Sequence, residues 1–456
     1  MINTFLGVAA CKATRFVLRL MKRGGTTLPG RAAMIFDKNI LAEVSKDMNI
    51  IVVTGTNGKT TTCRMIEHAL ASGGRDVLAN RSGANLLPGI TAEFTANASM
   101  TGKPKKKTAV IECDEAALKK AVPLLKPKVI VVTNLFRDQL DRYGEVMHTL
   151  EQIRAGVEKV PDSILCLNAD CSLTSSLALN VPNRIFYYGI DVPTGDQKEP
   201  VVSDAKHCIR CGAEYKYEYH TYAHLGGFVC PKCGYKRHKT DAGVTGILSM
   251  KSTGTEVTMH LQEKESVRVK IALPAVYNVY NALSAVCAYQ AAGLDTGEAI
   301  RSLADVQSGF GRMETFKLGE ADVQMILVKN PAGCSQALTY LSDLDQDFNA
   351  VFCLNDNAAD GHDISWIWDA EYEKVCRDSH MKNVLVWGSR AEDLMLRLKY
   401  GGADERIISK VSSTDRIIEK LKESRLPVFI LPNYTSMLEL RAALSAATGG
   451  QEFWKG

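Results

Sequence analysis

Long apolar runs are missing from this chain: nowhere among its 456 residues do about eighteen stand together, so no segment reads as a membrane-crossing helix. An excess of one charge is missing as well. Its 55 Lys and Arg face 51 Asp and Glu, a formal net charge of +4, too little to argue for a nucleic-acid coat or an acidic tail. A disulfide framework is not visible either. Thirteen cysteines are scattered along the chain and only four stand in C-x-x-C spacing, which fits a reducing compartment. The N-terminal apolar run Phe5-Leu6-Gly7-Val8-Ala9-Ala10-Cys11 has no cations ahead of it, where a secretory signal would carry them. Lys12, Arg15, Arg19, Lys22 and Arg23 follow it instead, interleaved with Phe16, Val17, Leu18 and Leu20. That pattern reads as an amphipathic helix, either docked on the core or resting on an anionic membrane surface.

What the chain does have is a phosphate-binding loop. Ile50-Ile51-Val52-Val53 is a β-branched strand, and Thr54-Gly55-Thr56-Asn57-Gly58-Lys59-Thr60-Thr61-Thr62 turns it into a helix. Gly55 and Gly58 let backbone N–H groups face a polyphosphate, Lys59 can bridge its outer oxygens, and the Thr60 hydroxyl can ligate Mg²⁺. Val53 stands where the strict Walker pattern has its first glycine, so the motif is the shorter Gly-Thr-Asn-Gly-Lys-Thr-Thr variant. ATP is the expected ligand.

The length calls for two to four domains. Strands expected at 77–80, 108–112 and 128–134 alternate with helical stretches, which implies an α/β fold with a mostly parallel, doubly wound sheet. Ligands of such sheets lie beyond the strand C-termini, where Gly55, Glu112 and Asn134 fall. Gly-Gly-Thr-Thr-Leu-Pro-Gly at 24–30 is a turn-rich linker. Between 203 and 240 the composition shifts to Tyr, His, Lys and Cys, with Cys208-x-x-Cys211 and Cys230-x-x-Cys233. Two such knuckles make a closed Cys₄ zinc site, structural because no ligand position stays open; four unmetallated cysteines are the alternative. The lysines around them, with Arg237, read as a solvated ribbon face. A helix is expected to end at Ala292, stopped by Gly293, and a second α/β domain to follow. The expected division is an amphipathic leader and linker over 1–45, a central ATP-binding domain over 46–315 carrying the ribbon, and a Rossmann-like C-terminal domain over 316–456.

Taken together, the loop at 55–61, Glu112, Thr133-Asn134, Asn278-x-x-Asn281-Ala-Leu and Gly311-Arg312-Met313-Glu314 resemble the Mur ligase superfamily of ATP-dependent amide-forming enzymes. The Cys₄ ribbon and the run Asn355-Asp356-Asn357-Ala358-Ala359-Asp360-Gly361-His362-Asp363-Ile364-Ser365-Trp366 narrow the resemblance to its MurT-like branch. That branch implies the synthetase subunit of a lipid II isoglutaminyl synthase, working as a heterodimer with a GatD-like glutaminase. The α-carboxylate of the stem-peptide D-glutamate would be phosphorylated by ATP, and ammonia would then displace the phosphate to leave D-isoglutamine. The resemblance further implies that Glu112 joins Thr60 on magnesium, that Asn281 contacts the nucleotide, and that Arg312 neutralises the phosphoryl group. It implies a cytoplasmic enzyme with at most peripheral contact at the inner face of the plasma membrane, and no nucleic acid.

Two segments depart from the peptide-ligase pattern. Asp138-Gln139-Leu140-Asp141 stands where those ligases carry Asp-His-Leu-Asp, and Lys329-Asn330-Pro331-Ala332-Gly333 also lacks a histidine. Both fit ammonia as the acceptor, while a Mur-type ligase adding an amino acid to a peptide or folate is the alternative. A zinc-ribbon ATPase on nucleic acid and a non-catalytic nucleotide-binding scaffold are remoter readings. None of the cysteines has glycines at G-x-C-x-G spacing, so glutamine hydrolysis is expected on the partner. The resemblance assigns Asp363 to orient a histidine of that partner; otherwise Asp360, Asp363 and Ser365 cap a helix starting near Trp366.

Overall fold

The computed structural model describes residues 2–21, 25–81, 83–138, 146–194, 197, 204–262, 265–307, 309 and 311–449. A nine-stranded sheet runs in the order β11-β10-β9-β6-β5-β4-β1-β3-β2. Its strands are β1 (Asn49–Thr54), β2 (Val77–Ala79), β3 (Thr108–Glu112), β4 (Val129–Val132), β5 (Ile164–Asn168), β6 (Ile185–Ile190), β9 (Ala242–Lys251), β10 (Gly254–Leu261) and β11 (Val267–Ile271). From β2 to β9 neighbours pair in parallel, and β9, β10 and β11 add an antiparallel edge. β1 lies between β3 and β4, and Ile50 to Thr54 are all buried. That is why its sequence is a continuous apolar run instead of an alternating one.

The hairpin β7 (Lys216–Tyr222) and β8 (Leu225–Val229) belongs to the cysteine-bearing insert. A six-stranded sheet follows, in the order β12-β13-β17-β14-β15-β16. It comprises β12 (Arg312–Leu318), β13 (Ala321–Ile326), β14 (Phe348–Cys353), β15 (Met381–Trp387), β16 (Ile408–Lys410) and β17 (Val428–Pro432). Only the β12–β13 pair is antiparallel. Separate apolar clusters cover the two faces of this sheet, and a small cluster of Tyr215, Phe228 and Tyr235 sits with the cysteines of the insert.

The leader forms a helix over Ile2–Leu20 whose Val8 and Cys11 join the core of the first sheet. Two more helices, Leu28–Phe36 and Ile40–Val44, lie between it and β1. The helix Val276–Ala291 ends at Ala292, and Gly293 at φ +70 turns the chain away.

Candidate functional site

The phosphate-binding loop joins β1 to the helix Lys59–Ser72, with Gly55 at φ +114 and Gly58 at φ +87. A Cβ on Gly58 would lie 2.1 Å from Asn281 Oδ1, so glycine is required there for contact as well as for backbone conformation. The segment after β4 pins the loop: Asn57 N–H donates to Asn134 Oδ1 (2.9 Å), Asn134 Nδ2 to Asn57 O (3.1 Å), and Phe136 N–H to Thr56 Oγ1 (3.1 Å).

Lys59 is not a loose charge. Its ammonium donates to Gly55 O (2.6 Å) and to Glu115 Oε1 (2.8 Å), and the residue is 8% exposed. Burial works against that charge, but Glu115, Glu112 and Asp114 outweigh it and raise the Lys59 pKa above the ordinary lysine value. Burial also pushes the Glu115 carboxyl up, against the pull of Lys59. Thr60 Oγ1 donates to Glu112 Oε2 at 2.6 Å, so hydroxyl and carboxylate converge as a magnesium pair requires. The other Glu112 oxygen accepts from Asn85 Nδ2 (3.0 Å), and Asn80 holds its backbone at both N–H and C=O. Asn80, Asn85 and Glu115 carry no motif of their own, and β2 and β3 bring them in. Asp114 caps the helix Glu115–Leu125 through Ala116 and Ala117 N–H.

A cleft between the two sheets opens beside the loop, lined by Asn57, Gly58, Asn281 and Arg312 among others. Asn281 donates to Asn278 Oδ1 (3.0 Å), and Asn278 is fixed on Pro274 O (2.7 Å). Arg312 opens β12 at an irregularity where Met313 takes φ +60, while Glu314 is held by Arg441 (2.9 Å) and by Gly311 N–H (2.8 Å). Asn330 accepts from Gly333 N–H (2.8 Å) as the cap of the helix Pro331–Ser342 and donates to Asn57 Oδ1 (3.0 Å). It thus ties the second sheet to the loop where a histidine was absent. Gln139, Leu140 and Asp141 lie outside the described residues, as do Ser308 and Phe310 next to the Gly311 motif.

Cys208, Cys211, Cys230 and Cys233 place their sulfurs within 4.8 Å of one another, with the 208–233 pair at 3.6 Å and the 211–230 pair at 3.4 Å. A tetrahedral zinc shell sets sulfurs about 3.8 Å apart, so the donor set fits that ion. The insert is not a detached ribbon. Arg237 binds Asp170 (2.6 Å) and Asp191 (2.7 Å), so it leaves the solvated face on which Lys216, Lys232, Lys236 and Lys239 remain exposed. Tyr222 of β7 lines the cleft and stacks at 5.7 Å on Phe136, which is bonded to Thr56 of the loop. Sequence reasoning missed that link because the two aromatics are 86 positions apart.

Asp363 is exposed, accepts from Ser365 N–H (2.8 Å), and is held below the ordinary aspartate pKa by hydrogen bonds from Ser365. The expected helix is only a four-residue 3₁₀ turn, Ser365–Trp368, whose first N–H is the one Asp363 accepts. Asp360 does not serve it; its carboxylate accepts from Thr435 N–H (2.8 Å), in the first turn of the helix Tyr434–Thr448. Asp363 also lines a small cleft with Arg137, Asp138, Lys329 and Asn330, and Asn330 is the residue that touches Asn57.

Such an arrangement of loop, sheets and cleft is that of the Mur ligases. The Mur ligase middle domain matches residues 53–213. The fold is shared with MurF from Acinetobacter baumannii, at a TM-score of 0.66 and 15% identity over 93% of this chain and 81% of that one. It is shared also with Mycobacterium tuberculosis folylpolyglutamate synthase, solved with ADP and AMPPCP, at 0.61 and 14% over 91% and 95%. The MurT ligase C-terminal family matches residues 327–437. Lipid II isoglutaminyl synthase (glutamine-hydrolyzing) subunit MurT of Streptococcus pneumoniae is 36% identical over 98% of each chain, and its Staphylococcus aureus counterpart 33% over 99% and 100%. The chain belongs to the MurT family.

Proposed function

We propose that this chain is the synthetase subunit of a lipid II isoglutaminyl synthase, amidating the α-carboxyl of D-glutamate in the stem peptide during peptidoglycan synthesis. The observation that carries the reading is the pairing of a nucleotide site built around Lys59 with an exposed, ionised Asp363 one cleft away, joined through Asn330. The substrate carboxylate attacks the γ-phosphorus of ATP and ADP departs, leaving an acyl phosphate. Ammonia then attacks the acyl carbon, phosphate leaves, and the nitrogen loses a proton. A carboxylate is otherwise too poor an electrophile for so weak a nucleophile.

Gly55, Thr56, Asn57, Gly58, Lys59, Thr60 and Thr61 hold the triphosphate in this reading, and Asn281 would contact the nucleotide. Lys59 would exchange its carbonyl partners for phosphate oxygens, and Arg312 would meet the charge that develops in transfer. Thr60 and Glu112 would hold magnesium, which supplies charge neutralisation to the phosphates. The four cysteines would hold zinc in a structural role. Asp363 would orient a histidine of a GatD-like glutaminase, completing a triad across the subunit interface. The complex would act in the cytoplasm at the inner face of the plasma membrane, where its substrate's lipid lies.

Mass spectrometry of lipid II after incubation with ATP, glutamine and the co-purified partner tests this. ATP-dependent conversion of the D-glutamate carboxyl to amide is the expected result; a product extended by an amino acid would favour the peptide- or folate-ligase alternative.

A further inference from the structure

The helix Ile2–Leu20 has two apolar faces, and the core uses only one. Val8 and Cys11 are fully buried against the first sheet. On the opposite side Ile2, Phe5, Leu6, Phe16, Val17 and Leu20 stand exposed, Ile2 at 77%, Phe16 at 63% and Leu20 at 70%. At 100° per residue these six fall on one stripe, with Ala9 and Ala13 filling the gap between Leu6 and Phe16. The stripe is about 28 Å long at 1.5 Å per residue. The adjoining helix adds exposed Leu28, Ile35 and Phe36. An apolar row of this length is not left bare on a soluble surface without a partner.

Charge identifies the partner. Between the helix and the β2 edge runs an open groove lined by Lys12, Arg15, Arg19, Arg81, Lys105 and Lys106, with Glu93 as its carboxylate. Cations flanking an apolar helical stripe are the makeup of a helix that lies in a bilayer interface, its apolar side in the acyl boundary and its cations among anionic headgroups. No helix among the described residues is long and apolar enough to cross a membrane, so the contact is one of lying on the surface. Asp363 lines a different cleft, with Arg137 and Lys329.

We propose that the exposed face of Ile2–Leu20, with its basic groove, docks the protein on an anionic phospholipid surface. This rests on the proposed reading for the lipid-borne substrate, and the following experiment separates the two. The full chain with its co-purified partner is floated with vesicles of phosphatidylglycerol and phosphatidylcholine, or of phosphatidylcholine alone. The wild type should float with the anionic vesicles and lose at least about tenfold of that binding without phosphatidylglycerol or at high salt. The double variant Phe16→Asp/Leu20→Asp should lose flotation while keeping its melting temperature and its ammonium-dependent amidation of a water-soluble stem-peptide analogue. Arg19→Glu/Lys105→Glu should lose flotation as well. A wild type that does not float, or apolar variants that float undiminished, overturn the proposal. So does loss of the co-purified subunit, or of a reversible self-association, in Phe16→Asp/Leu20→Asp, since the stripe would then be a protein interface. Failure of the wild type to amidate the soluble analogue would sink the functional reading instead, whatever the vesicles show.

Discussion

At the end of β1 the side chains proposed to meet phosphate or metal already have partners within the chain: Lys59 on Glu115, Thr60 on Glu112, Glu112 on Asn85. Beyond β14, Asp363 has its neighbour Ser365 and open surface. In the proposed reading the first is a preorganised centre that works with what this chain supplies, because donors held in place need no reorganisation when charge develops. The second, in the same reading, is half of a centre. A carboxylate kept ionised on a short turn can orient and stabilise an imidazolium, but the imidazole has to come from elsewhere.

The comparison is broken most severely at Lys59. Lys59→Ala should lower amidation by on the order of a hundred- to a thousandfold with either nitrogen donor. It also leaves Glu115 buried without its cation, at a cost of roughly 3 kcal/mol, so a lowered melting temperature should accompany the kinetic loss. Glu112→Gln should weaken magnesium binding by at least about tenfold, read as a rise in the magnesium concentration for half-maximal rate, again for both donors. Neither Asp114, which caps a helix, nor Glu115, which pairs with Lys59, is placed to take over.

Elemental analysis of the wild type is expected to give about one zinc per chain, and Cys208→Ser should abolish it and lower the melting temperature. Because the insert reaches the cleft through Tyr222 and Phe136, it should also raise the KM for ATP several-fold, which a detached ribbon would not. The smallest change is at Ser365. Hydrogen bonds from this residue lower the Asp363 pKa, so Ser365→Ala raises it. The ionised form is then lost at a higher pH as acid is added, and the acid limb of glutamine-dependent activity should move upward by less than about one unit. The ammonium-dependent profile should not move.

The phosphate-binding loop was legible because strand, turn and helix are contiguous and each residue type has a single physical reason to be there. The cysteine knuckles were legible for the same reason, since 208–211 and 230–233 each close a turn locally. Asn80, Asn85 and Tyr222 were not, because the sheet order that brings β2 beside β3, and the hairpin beside Phe136, is written in no local pattern. The turn after Asp363 was overread as a helix. Good capping residues at 360, 363 and 365 suggested an N-terminus, yet Asp360 is drawn off to Thr435, beyond the neighbouring strand β17, and the segment is a single 3₁₀ turn. Tertiary demand outweighed the local signal there.

The claim that one centre is whole and the other shared is tested most directly by Asp363→Asn in the intact complex, assayed with glutamine and with ammonium. The amide keeps the hydrogen bond from Ser365 but loses the charge that would orient a histidine. Glutamine-dependent amidation should fall by a hundredfold or more, while ammonium-dependent amidation and complex formation persist. Equal loss with both nitrogen donors would contradict the account and place Asp363 in the synthetase centre or in the fold.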